Sequence, residues 1–164
     1  MSITLPDWWT TQRGGGFPNI ENLLKHLLAD KVGDDVEVTY WLPKPDVIRT
    51  HLEAGKGYLR LYRTGGAINR KDNRDQPRVQ AAALTPSRDD SWELIEMFRQ
   101  ITELFEHAKV VPGTPHKLQC TGEVVGPQLL PELLSDDRLV PITLEFFTWR
   151  TRDHSNQYRQ ALGL

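Results

Sequence analysis

Apolar residues recur at Ile20, Leu23, Leu24, Leu27 and Leu28, the i, i+3, i+4, i+7, i+8 spacing of a helix with one buried face. Asn19 stands before them as a cap, so the pattern predicts a helix over about 20–29. Val36 to Leu42 is β-branched and aromatic and ends on Pro43 and Pro45, which predicts a strand with a hard stop. Tyr58 to Arg63 alternates, with Leu59 and Leu61 on one face and Tyr58, Arg60 and Tyr62 on the other. Thr64-Gly65-Gly66 is read as the end of that strand, residues 67–77 as a polar loop, and Arg78 to Leu84 as the next strand. Asp90-Ser91-Trp92-Glu93 has capping-box spacing and opens a long helix to about His107, with Leu94, Met97, Phe98, Ile101, Leu104 and Phe105 as its stripe. Lys117–Val125 and Leu139–Arg150 complete the strands, separated by a loop with a helical turn over 129–134.

The order is helix, three strands, helix, two strands. Mostly hairpin-length connections imply an α+β fold: a mainly antiparallel sheet of four to five strands with two helices packed on one face. Leu23, Leu24 and Leu27 join the stripe of the long helix as the expected core. Three segments follow: an N-terminal arm over 1–18, a folded domain over 19–150 and a polar tail over 151–164. The arm carries Trp8, Trp9 and Gly14-Gly15-Gly16, a backbone too free for regular structure and an aromatic pair able to dock on the chain's own core or on a neighbour.

Composition narrows the function. A chain of 164 residues with 38% hydrophobic and 26% charged residues is an ordinary globular domain that needs no metal or disulfide staple. The formal charge of −2 offers no global attraction to nucleic acid or membrane. The single cysteine, Cys120, excludes an internal disulfide, and no apolar run approaches a membrane span. The first residues lack a basic start and an apolar stretch, so the expectation is a protein that folds in the cytosol or in something assembled there.

Chemistry is sparse. The five histidines form no HExxH motif, and no GxSxG, GxGxxG or phosphate-binding GK[ST] loop occurs. His116 and Cys120 sit about 13 Å apart if both lie on one strand, too far for a dyad. Asp89-Asp90 and Asp136-Asp137 suit caps and turns. No catalytic, cofactor-binding or metal-ligating set is assigned, and no enzyme is expected. The segment from Arg63 to Arg78 stands out, with five cationic side chains against Asp72 and Asp75. Its apparent loop of roughly a dozen residues exceeds an ordinary hairpin connection. Mixed charge suits a protein partner. The candidate interaction residues are Trp8, Trp9, Arg63, Gly65, Gly66, Arg70, Lys71, Arg74, Asp75, Arg150 and Arg152. The 64–77 loop is expected to be mobile in the free subunit and ordered in an assembly.

Several features in series resemble the tail-terminator family of siphophages, particularly those of actinobacteria. Leu5-Pro6-Asp7 precedes the first helix, and Val36-Glu37-Val38 leads to Leu42-Pro43. Leu59-Arg60-Leu61-Tyr62-Arg63 runs into Thr64-Gly65-Gly66, and Asp75-Gln76-Pro77-Arg78-Val79-Gln80 restarts the sheet. Trp92 lies early in the long helix, Gly126-Pro127 precedes Leu130-Pro131, and the last strand ends on Trp149-Arg150. The resemblance spans residues 19–150, and departs from the family at the glycine-rich arm and at an insertion over 46–56. It implies a structural virion protein without cofactor, forming a homo-oligomeric ring, a hexamer, at the head-proximal end of the tail. The implied partners are its own copies, the major tail tube protein and a head–tail connector or stopper protein, with DNA passing unread through the lumen and no membrane involved. The alternatives are another neck component (a head-completion, stopper or tail-completion subunit) and a nucleic-acid-binding module, for which the aromatics and the Arg63–Arg78 segment would supply stacking and phosphate contacts.

Overall fold

The computed structural model describes residues 3, 4, 6, 16–129, 137–150 and 155–163. Along the chain these form α1 (Ile20–Leu28), β1 (Val36–Thr39), α2 (Pro45–Glu53), β2 (Gly57–Asn69), β3 (Arg74–Leu84), α3 (Arg88–Glu103), β4 (Lys109–Val110), β5 (Lys117–Val125), β6 (Leu139–Trp149) and α4 (Ser155–Leu162). The strands make one six-stranded sheet in the order β1-β2-β3-β6-β5-β4. Every neighbouring pair is antiparallel except β1 and β2, which run parallel with α2 as the crossover between them.

The α+β class holds, and so does the packing of two helices on one face. Asn19 caps α1 as expected, its side-chain oxygen accepting from the backbone N–H groups of Glu21 and Asn22. Ile20, Leu23, Leu24, Leu27 and Leu28 are all buried. Beneath α1 and α3, the alternate residues Leu59, Leu61, Val79, Ala81, Ala83, Val140, Ile142, Leu144 and Phe146 form the core with Leu94, Ile95 and Phe98. The three alanines of β3, Ala81, Ala82 and Ala83, are fully buried, so this strand is covered on both faces at that end.

Four details depart from the sequence reading. The sheet has six strands rather than four or five, the added one being the two-residue β4. Pro43 and Pro45 do not simply end a strand: Pro45 takes the first turn of α2, where a missing N–H leaves nothing unsatisfied. β1 itself stops at Thr39, whose hydroxyl donates to the Trp41 carbonyl in a bend. The long helix starts earlier than Asp90, because Ser87 is the cap; its Oγ accepts from the Asp90 N–H and donates to the Asp90 carboxylate. It also ends at Glu103, which leaves Leu104 64% exposed instead of in the core. Finally, α4 forms within the polar tail, to which the sequence reading assigned no element. The helical turn expected over 129–134 lies, from residue 130 onward, outside the described residues.

α2 covers part of the second face. Its Leu52 is buried, and His51 stacks on Tyr58 with ring centroids 4.3 Å apart. Tyr58 is opposite Leu84, which is opposite Leu139, so α2 shields only the end of the sheet that carries this row. Burial, and secondarily Glu37, holds the Tyr58 hydroxyl above its ordinary pKa.

The burial pattern makes a sharp contrast between two apolar residues of neighbouring turns. Phe98→Ala is expected to destabilise by about 3–5 kcal/mol, the range for emptying a buried aromatic site. Leu104→Ala should stay within about 0.5 kcal/mol of wild type, as for an exposed position. Urea unfolding of both variants checks this, and similar losses for the two would contradict the observed helix end.

Candidate assembly interface

β2 and β3 form a long hairpin. The expected loop over 64–77 does not exist as a loop. Register continues from Gly65↔Arg78 through Gly66↔Pro77 and Ala67↔Gln76 to Asn69↔Arg74. The strand survives Thr64-Gly65-Gly66 because a register shift between Arg63 and Gly65 absorbs one extra residue as a bulge. Gly66 has φ +105°, and an added Cβ there would overlap the Gln76 carbonyl oxygen and lie 2.7 Å from the Pro77 Cα. Glycine is therefore required by close strand approach, not as a hinge. The turn is only 70–73, with Asn73 left-handed at φ 50° and Asn69 Oδ1 accepting from the N–H groups of Lys71 and Asp72.

Arg63, beside the bulge, and Asp75, near the turn, are locked together across the hairpin. The guanidinium donates twice to the carboxylate, at 2.7 and 2.9 Å, and its Nε donates to the Gly65 carbonyl across the bulge. Asp75 is 2% exposed. The backbone N–H of Arg63, unused by β1, donates to Glu21 at 2.7 Å, which ties the bulge to the first turn of α1. Arg63 and Asp75 thus make an internal clamp in the subunit. Arg150 lies over the ring of Phe17, 4.8 Å from its centroid, beside the same end of the hairpin. Arg70 and Lys71 are exposed at the turn. Arg74 pairs with Asp72 and lies 4.0 Å over the Phe147 ring. Trp8, Trp9 and Arg152 fall outside the described residues.

The sequence reading did not single out the second face of the sheet as a site. Past the row shielded by α2 it presents Arg60, Tyr62, Gln80, Arg78, Gln76, Glu145 and Phe147. Arg60 donates to Gln80 at 2.7 Å and lies 5.9 Å from the Tyr62 ring centroid. Tyr62 meets Trp41, which is 73% exposed, at 5.8 Å. Glu145 accepts from Arg78 Nε at 2.9 Å and from Gln76 Nε2 at 2.8 Å. Those two bonds, Arg78 first, hold the Glu145 carboxyl below its ordinary pKa. The signal was available in the alternation of Tyr58–Arg63 and Leu139–Trp149: whatever faces away from Leu59 and Phe146 lies here.

Among the described residues no group of three His, Cys, Asp or Glu side chains is placed to hold a metal ion. Burial raises the Cys120 thiol above its usual pKa and lowers His116. A thiol so shifted is a weak nucleophile at neutral pH.

Residues 16–155 match the family model described as phage tail termination protein. The chain belongs to that family. No curated protein matches it. Membership makes this a structural protein of a bacteriophage tail. For a phage tail termination protein, an arginine- and aromatic-rich face left open on one subunit has the composition of a contact surface.

The Glu145 network carries a pH dependence. Its carboxyl is lowered in the folded protein, so its stabilisation is complete above the ordinary Glu pKa and fades as pH falls through the lowered value. Glu145→Gln should cost about 1 kcal/mol at pH 7, since Arg78 is half exposed and screened. Thermal unfolding across pH is expected to show the gap between variant and wild type closing below about pH 4. A gap that stays constant down to pH 2 would contradict the assignment.

Proposed function

We propose that the protein caps the tail tube as a closed ring, ends tube polymerisation and joins the finished tail to the head of a siphophage. The match of residues 16–155 to the phage tail termination family carries this reading. The physical logic is that a tube end is an open heterologous interface, which accepts identical subunits until a non-identical cap occupies it. Such a cap needs one surface resembling the tube and another that does not. A small α+β domain with a long β2–β3 hairpin and one sheet face partly open suits this task. Six copies, contacting the major tail tube protein below and a connector or stopper protein above, would leave a lumen for DNA. Assembly would occur in the host cytoplasm, at the head-proximal end of the tail.

Electron microscopy of a lysate whose phage carries an early stop in this gene tests the reading. The expected result is DNA-filled heads beside overlong, unattached tails. Normal tails attached to heads would sink the proposal. Normal-length tails left unattached would instead make the protein another neck component.

A further inference from the structure

The open face of the sheet carries an arginine without an ion-pair partner among the described residues, Arg60, and the outer face of α3, on the other side of the subunit, carries two such carboxylates, Asp89 and Glu93. On the sheet side, Arg60, Arg74 and Arg78 lie beside Tyr62, Trp41 and Phe147; Arg78 pairs with Glu145 and Arg74 with Asp72. Arg60 has no ion-pair partner among the described residues; its guanidinium is held by a 2.7 Å hydrogen bond to Gln80, 5.9 Å from the Tyr62 ring centroid, and Arg74 lies 4.0 Å over the Phe147 ring. A guanidinium held this way loses little further freedom on meeting a carboxylate. On the other side, α3 buries Leu94, Ile95 and Phe98 and turns Asp89, Trp92 and Glu93 to solvent. Asp89 and Glu93 have no ion-pair partner among the described residues, and Trp92 is 38% exposed.

The outer strands β1 and β4 cover only short stretches of β2 and β5, and what runs beyond them is poorly suited to self-association. β2 carries its bulge between Arg63 and Gly65, and β5 has register shifts between Cys120 and Gly122 and between Glu123 and Val125. Bulges of this kind keep an edge from pairing with another chain. Faces, not edges, remain for contact.

We infer that the open sheet face around Arg60 and Arg78 receives the Asp89–Trp92–Glu93 face of α3 from the next copy of this chain. The inference rests on the ring reading above. Complementary patches on opposite sides of one subunit make a heterologous contact, and repetition of that contact closes a ring when the rotation permits. Arginine beside tyrosine and tryptophan is also the composition in which binding energy concentrates.

A charge exchange tests it. Arg60→Glu opposes Glu93 of the next copy, and Glu93→Arg opposes Arg60; each variant alone places like charges at every contact. Mixed one to one, the two restore opposite charge at every contact of an alternating ring, which closes for an even number of subunits. The phage with the stopped gene is grown in cells supplying wild type, Arg60→Glu, Glu93→Arg or both, and tail length and infectious titre are read. Circular dichroism and thermal unfolding first establish that each variant is folded. We expect titre to fall about a hundredfold or more with either variant alone and to return to within about tenfold of wild type with both, because like-charge juxtaposition strongly disfavours association. If wild type restores tails but the mixture does no better than the single variants, the pairing is wrong. If Arg60→Glu fails while Glu93→Arg behaves as wild type, the face meets something else, DNA included, and the inference falls. If supplied wild type leaves tails overlong, the capping reading itself fails and takes this one with it.

Discussion

Leu59, Leu61, Val79, Ala81, Ile142, Leu144 and Phe146 place their side chains on one face of three adjacent strands, and that face is stable in water only beneath α1 and α3. Apolar burial of this kind dominates folding, and it acts here on one side of the sheet. The remaining architecture follows from it. β3 must lie between β2 and β6, its alanines permitting close cover. The opposite face is shielded at one end by α2 through Leu52 and the His51–Tyr58 stack, and beyond that it is left to polar and aromatic side chains. The distal half of β2 runs beyond β1 and is largely exposed, and the Arg63–Asp75 clamp and the Glu21 tether hold it to β3 and α1.

The parts of the fold driven by periodicity were legible. α1 and β6 appear in the sequence as a clean stripe and a clean alternation, and Asn19 announces its helix. What was not legible has specific causes. Distal β2 has little core beneath it, so polar residues 67–76 carry no apolar alternation, and a bulge at Thr64 shifts the phase of any pattern that remains. Gly65-Gly66 reads as a break in a sequence, whereas here Gly66 allows two strands to approach. α2 buries only Leu52 among its nine residues, so its stripe is too thin to separate from a proline-rich loop.

The candidate site shows the same division. Arg63 and Asp75 attract notice as charges, yet their first role is within the subunit. Arg74 is likewise engaged, on Phe147 and Asp72. Arg60, Tyr62, Gln80 and Glu145 come from strands up to 85 positions apart in the chain, and only sheet order brings them side by side. A structural protein of a phage tail acts through its surfaces. Its specificity resides in which surfaces are complementary to which, and an asymmetric subunit, clad on one side and open on the other, provides two surfaces of different character.

The most direct test of the account is a cryo-electron-microscopy reconstruction of the intact phage at the junction of head and tail. A single layer of this fold is expected between the last ring of tube subunits and the head connector, closed around the lumen. Finding this chain stacked along the tube, at the distal tip, or absent from the junction would contradict it.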